Sequence, residues 1–410
     1  MPESLRNEVV QYIDAMGEKA KDPRGGITRL LYTSEWVDSQ LELKRIMAEA
    51  GLSTYFDEIG NLFGRLDGGS LPGETVLTGS HVDTVKNGGK LDGMFGIIAG
   101  ITAIKYLKKR YGTPKRNIEV VSFAEEEGSR FPFVFWGSKS FLGLAKKEDV
   151  AHLKDNDGVL FGDAIRAAGF GFKTDDASAI REDVRNFIEI HIEQGNVLER
   201  EGKEIGVVRA IVGQRRFRVK VNGTANHAGT TPMGYRRDAL YSAGKMISSV
   251  IDRAKTYGDP LVTTAGFISA RPNIPNVVPG EAEFSLDMRH TDSDFLKQFT
   301  DESIFIMEQI AKECSVEIRV NMWMDEPPVP MSGEIVGCLE NICKKNNINY
   351  KIMHSGAGHD SQLMANYVPT AMLFVPSKDG VSHNPAEYTD PAYLEKGVFA
   401  LIGALHELAY

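Results

Sequence analysis

The sequence predicts an α/β protein in two parts, on three grounds. β-rich apolar runs alternate with helical patterns through most of the first half, as in α/β domains. Between about 212 and 327 the order changes to β-α-β-β-α-β, the ferredoxin-like split unit, and the earlier pattern resumes after Pro327-Pro328. Five residues able to ligate a metal (His81, Asp92, Glu127, His191 and His383) stand where a β-rich run gives way to a loop. Strand ends are where an open α/β sheet gathers its ligands and catalytic groups. The expected organisation is a first domain built from 1–211 and 328–410 around an insertion at 212–327. Hinges near 210 and 328 would let the insertion close as a lid.

The elements follow in order. Thr75-Val-Leu-Thr78 reads as a strand leading into Ser80-His81-Val82-Asp83, and Ile118 to Ala124 as another leading into Glu125-Glu126-Glu127. Phe187 to Ile192 alternates apolar and polar residues, as a half-buried strand does. Ala371 to Val375 runs into a Pro/Ser/Gly/Asn-rich loop that carries His383. In the insertion, strands are expected at Phe217–Val221, Leu261–Ile268, Glu281–Arg289 and Val316–Met322. Helices are expected at Asp238–Ala254, with Leu240, Ala243, Ile247, Val250 and Ile251 on one face, and at Asp294–Cys314.

Composition narrows the function. A chain of 410 residues with 42% hydrophobic content can bury a large core. Its formal net charge of −9 argues against nucleic acid or an anionic membrane as the main partner. Cys314, Cys338 and Cys343 are an odd number without a tight pairing pattern, which reads as free thiols in a reducing compartment. The first residues lack an apolar signal region, and no run of about 18 apolar residues occurs. A cytoplasmic protein is expected.

The ligand candidates define a chemistry. If His81 and Asp83 share a strand they point to the same side, so Asp83 can accept the second imidazole N–H and orient the ring. Asp92, after the turn containing Gly88-Gly89, can offer two carboxylate oxygens to two ions. Three adjacent carboxylates at Glu125–Glu127 repel one another unless cations lie near; a solvated charge run is the plainer alternative for that triplet taken alone. With His191 and His383 the count becomes His81, Asp92 and His191 for one ion and Asp92, Glu127 and His383 for the other. Nitrogen and oxygen donors without thiolate suit Zn²⁺, Mn²⁺ or Co²⁺.

Gly79-Ser-His-Val-Asp83, Glu125-Glu-Glu-Gly-Ser-Arg-Phe131, His191-Ile-Glu-Gln-Gly195 and Ser355-Gly-Ala-Gly-His-Asp360 resemble motifs of the aminoacylase-type family of dinuclear metallohydrolases. Within it they are most similar to the branch that hydrolyses N-carbamoyl (ureido) groups, and the resemblance extends over essentially the whole chain. It implies an aminopeptidase-like α/β/α catalytic domain with an inserted lid and dimerisation domain, two divalent ions per subunit, and a homodimer. It also implies Glu126 as general base, Glu127 as ligand and Asp92 as the bridging carboxylate. By the same resemblance His227 steadies the developing oxyanion, while Gln214, Asn276 and Arg289 hold the substrate. Arg289 at a strand end suits a bidentate carboxylate clamp, the amides around Gly356 and Gly358 are expected to meet an anionic group, and Gly358 and His359 are expected among the substrate-binding residues. The implied substrate is a small anion: allantoate, or in the alternative an N-carbamoyl amino acid. A non-catalytic binding or assembly homologue would be missing ligands, and here all five stand with Glu126 beside them.

Overall fold

The computed structural model describes residues 3–173 and 181–410. The chain divides into two compact units, Met1–Arg209 with Met331–Tyr410, and Ala210–Pro330. The fold is mixed α/β, as the alternation of elements predicts.

The first unit is organised by four parallel strands. In spatial order they are Arg116–Phe123, Leu71–His81, Val184–Ile192 and Thr370–Val375. All but their leading residues are buried, as expected of parallel strands covered on both faces. Antiparallel strands Leu62–Leu66 and Ile205–Ile211 flank them. The helix Met94–Tyr111 is buried throughout from Met94 to Ile104 and again at Leu107, and it packs on the sheet and on the C-terminal helix Pro391–Ala409. That C-terminal helix begins with proline at its first turn and with Asp390 accepting the Ala392 N–H, a start signal that satisfies an otherwise orphaned donor.

Parallel register does the work of assembly. His81 pairs with Phe123, and Phe374 and Val375 pair with His191 and Ile192. The residues that follow these four strands therefore emerge at one edge of the sheet. That edge receives His81, the Glu125–Glu127 triplet, His191 and the loop that carries His383.

The second unit is an antiparallel sheet in the order Ile268–Arg271, Glu281–His290, Gly213–Asn222, Glu317–Glu326. Helices Ala239–Tyr257 and Ser293–Glu313 supply its core: Phe217, Val219, Val221, Phe284, Leu286 and Met288 pack with Ala243, Met246, Val250, Leu296, Phe299 and Met307. Losing one of the buried phenylalanines to alanine costs roughly 3–5 kcal/mol. Two local expectations change. The single strand expected at Leu261–Ile268 is two short ones, Val262–Thr264 and Ile268–Arg271, both paired with Glu281–His290; Gly266 lies in the break, where glycine weakens a strand. The buried stripe of the first helix runs through Ala239, Ala243, Met246, Val250 and Ala254, while Leu240 is exposed. A short ribbon pairing Asn226–His227 with Val277–Val278 has no counterpart in the sequence reading.

No helix among the described residues is long and apolar enough to cross a membrane. Cys314, Cys338 and Cys343 are free thiols.

Candidate metal centre

Asp92 lies at the middle of a ring of imidazoles. Its Oδ1 is 3.4 Å from His81 Nε2 and 3.2 Å from His191 Nε2, and its Oδ2 is 3.1 Å from His383 Nε2. Glu127 Oε1 is 3.1 Å from the same His383 nitrogen. Two ligand groups result, His81–Asp92–His191 and Asp92–Glu127–His383, each with its donor atoms within 4.8 Å of one another. The structure thus brings together all five residues that the sequence reading grouped, in the same two sets. Gly93 makes the approach possible. It has φ 64°, and a Cβ there would lie 2.4 Å from the His81 carbonyl oxygen and 2.6 Å from its ring.

The other ring nitrogens decide which way the lone pairs face. His191 Nδ1 donates to the Ile192 carbonyl at 2.9 Å, while its Nε2 accepts the Gly93 N–H at 3.1 Å. His81 Nδ1 lies 3.2 Å from both the carbonyl and the carboxylate of Asp83. These partners fix the N–H at Nδ1 and turn the Nε2 lone pairs toward carboxylate oxygens. Lone pairs converge on lone pairs, an arrangement that needs a positive charge between them. Without a cation, protons serve: burial presses the His81 pKa down, but hydrogen bonds to Asp83 and Asp92 together outweigh it and hold the pKa well above the usual imidazole range. Hydrogen bonds to Asp92 and Glu127 raise His383 to about 10. Burial pushes the Asp92 carboxyl up, but its three histidine partners hold it well below the ordinary carboxylate range. The donor set fits a pair of divalent cations that share Asp92.

Asp83 reaches His81 by a different route from the expected one. The strand ends at His81, so Asp83 sits in the following loop rather than two residues along the same strand face. From there its buried carboxylate also accepts the N–H groups of Glu126 at 2.9 Å and Glu127 at 3.1 Å. One side chain thus orients a histidine and the start of the glutamate loop. Burial raises the Glu126 pKa well above the carboxylate range; His81 partly offsets this, while Glu127, Asp360 and Asp83 add to it.

His359 is buried, its ring edge-on to His191 with centroids 4.6 Å apart and its Nε2 3.1 Å from Ser355 Oγ. Burial, followed by the His191 charge, holds its pKa well below the usual range, so the ring is neutral. Gly358 lies against Phe135, whose Cζ would be 3.1 Å from a Cβ at that glycine. Three residues the sequence reading did not assign also belong to this region. Gln194 Nε2 donates to Asp92 Oδ2 at 2.9 Å, and Ser382 Oγ and Glu387 sit behind Asp92. Gln194 stands in the quoted His191-to-Gly195 motif, and the other two flank His383, so adjacency was the available signal.

The remaining candidates lie in the second unit. His227 is exposed, and its Nδ1 accepts the N–H groups of Gly229 at 3.0 Å and Thr230 at 3.2 Å, which leaves the ring hydrogen on Nε2. The Asn276 carbonyl accepts the Ala228 N–H at 2.9 Å. Gln214 pairs in register with Arg289, and its Oε1 has no hydrogen-bond partner among the described residues. Arg289 departs from the clamp expected of it. Its Nε and Nη2 fork onto Asp287 at 2.8 and 3.1 Å, because residues two apart on a strand share a face, and Arg216 holds the same carboxylate at 2.8 Å.

A parallel-stranded α/β unit whose strand ends deliver two histidine–carboxylate groups joined by one aspartate defines a metallohydrolase-like centre. The chain belongs to Peptidase family M20/M25/M40, which matches residues 77–407. It is similar to an allantoate amidohydrolase from Escherichia coli (strain K12), 51% identical over 406 residues that cover 99% of this chain and 98% of that protein. An allantoate amidohydrolase from Bacillus subtilis (strain 168) is 43% identical over 407 residues, with 99% and 98% coverage. Among solved structures, an amidase of the hydantoinase/carbamoylase family from Burkholderia multivorans matches with a TM-score of 0.92 at 32% identity, covering 98% of both chains.

Proposed function

We propose that this protein is a metal-dependent amidohydrolase that cleaves a ureido C–N bond, with allantoate as substrate and ureidoglycine, carbon dioxide and ammonia as products. The observation that carries the reading is the pair of ligand groups sharing Asp92, with Glu126 beside Glu127. The 51% and 43% identity to allantoate amidohydrolases over nearly the full length supports the substrate. His81, Asp92 and His191 would hold one cation and Asp92, Glu127 and His383 the other. When bound, such ions polarise the carbonyl and lower the pKa of the attacking water toward ~7.

The chain's own residues supply the rest. Glu126, its pKa raised chiefly by burial, takes the proton of the attacking water and passes it to the departing nitrogen. Asp83 keeps Glu126 and His81 oriented through its backbone and ring contacts. The Nε2–H of His227 is a donor suited to an oxyanion, a contact of a type worth on the order of 3 kcal/mol. Gln214, Asn276, Arg289, Gly358 and His359 are assigned to substrate binding. For Arg289 this requires the substrate carboxylate to share or displace Asp287.

The ion pair is assigned as Mn²⁺, Zn²⁺ or Co²⁺, the compartment as cytoplasm, and the second unit, expected as a lid, also as the homodimer contact. The free thiols support the compartment. Exposed apolar side chains in the second unit, among them Met233, Tyr235, Tyr241 and Ile268, support the dimer, which sedimentation would test. An N-carbamoyl-L-amino acid hydrolase is the second reading, favoured by the carbamoylase-family structural match. Metal-stripped protein reloaded separately with Mn²⁺, Zn²⁺ and Co²⁺ and assayed for ammonia on allantoate and on N-carbamoyl-methionine decides between them. Turnover of allantoate well above that of the carbamoyl amino acid is expected; the reverse order would reassign the substrate.

A further inference from the structure

The loop after His383 carries a buried carboxylate that the reaction does not use. Glu387 Oε1 accepts the backbone N–H of Leu91 at 2.8 Å and of Asp92 at 3.1 Å. Its Oε2 lies 3.0 Å from Ser382 Oγ, and that hydroxyl is also 3.1 Å from Asp92 Oδ2. Gly89 is shaped to this contact: a Cβ there would fall 2.0 Å from Glu387 Oε1 and 2.1 Å from its Cδ. Gly26 makes similar room for the same loop, since a Cβ on it would lie 2.9 Å from Pro385 Cγ. The turn that presents Asp92 and the loop that presents His383 are thus joined through one side chain.

Both segments need such a link. Asp92 and His383 stand outside helices and strands, and His383 has φ 54°, so neither donor is held by a sheet ladder or a helix. A metal site tolerates little misplacement, and groups behind the ligands commonly set their precision. We propose that Glu387 is a positioning residue that fixes Asp92 and His383 relative to each other while giving no ligand atom itself. The inference rests on reading Asp92 and His383 as ligands.

The hydrogen count sharpens it. Ser382 has one hydroxyl hydrogen and two carboxylate oxygens within reach. A glutamine at 387 would keep Oε1 for the two backbone amides, donate Nε2–H to Ser382 Oγ, and leave the hydroxyl hydrogen for Asp92. Alanine removes every contact, and aspartate falls one methylene short.

The test is titration of metal-stripped protein with Co²⁺, read by bound metal per chain and by the d–d absorption spectrum, with circular dichroism as the check on folding. The wild type and E387Q should each bind two Co²⁺ with the same spectrum. E387A and E387D should bind Co²⁺ at least about tenfold more weakly, with an altered spectrum. Wild-type affinity in E387A, or in E387D should E387A not fold, would overturn the proposal. So would E387Q as weak as E387A, since the negative charge and not the hydrogen-bond geometry would then matter. A wild type that binds no Co²⁺ would instead remove the metal centre on which the inference rests, a result distinguishable from both.

Discussion

The two compact units hold their charged groups in opposite ways. In the first, His81, Asp83, Asp92 and His191 are all buried, each has more than one polar partner, and the pKa values of His81 and Asp92 are pulled far from ordinary. In the second, cations and carboxylates alternate across a sheet face that is partly open to solvent, with Arg216 and Arg289 on Asp287 and Arg218 and Lys220 near Glu283, while Arg215 meets Asp325 on the other side of the same strand. Exposed pairs of the second kind are worth about 0–1 kcal/mol. A buried cluster of like groups is stable only if cations or protons complete it. Strong pKa perturbation by burial and specific partners therefore marks the chemistry, and the count of ion pairs does not.

The largest effect that would sharpen this contrast is loss of Glu126, the proposed base. Glu126→Gln should lower kcat by roughly 10²–10⁴ while the ions per chain stay unchanged. Preserved turnover, measured as ammonia release with metal content checked by elemental analysis, would remove the proton-transfer role. Next comes the proton balance of the cluster. In the metal-free protein His383, raised to about 10 by Asp92 and Glu127, carries its proton at neutral pH. Its contribution to stability is fully present below the unfolded value of about 6.5 and is lost as pH rises through about 10. Cations must displace that proton, so binding near pH 7.5 should release protons and tighten as pH rises. Calorimetry in buffers of different ionisation enthalpy reads this, and no dependence on buffer would contradict it.

In the second unit the expected changes are smaller. Arg289→Lys should raise KM for allantoate roughly tenfold, because an ammonium cannot reproduce a planar fork, with a lesser change in kcat. An unchanged KM would mean that Arg289 serves only Asp287. Smallest of all, Asp325→Ala removes a side chain that is 43% exposed and breaks its pair with Arg215, and should cost under about 1 kcal/mol in denaturant unfolding. A loss several times larger would show that this pair is as tightly organised as the buried centre.

The same contrast explains what could be read from the sequence. Four of the five proposed ligand positions were legible because parallel strands end at one edge, so His81, Glu127, His191 and His383 could be placed from the strands that precede them. The split unit was legible from its alternation of elements. Contacts made through side-chain length and loop path were not. Nothing in local pattern says that Gln194 reaches Asp92 or that Glu387 spans to the Leu91 and Asp92 amides, whereas the two-residue spacing of Asp287 and Arg289 on one strand was a local signal for their pairing. The helix stripe was misjudged for a related reason: Leu240 is as apolar as a core residue, and only the packing partners show that Ala239 and Met246 face inward instead.

On the proposed function, Asp92 joins two cations into one centre. Loading metal-stripped protein with Mn²⁺ and recording its electron paramagnetic resonance alongside elemental analysis tests this most directly. Two ions per chain with an exchange-coupled spectrum is the result expected, collapsing to uncoupled or absent signals in Asp92→Ala. A single ion, or two that give only the isolated six-line spectrum in the wild type, would contradict it.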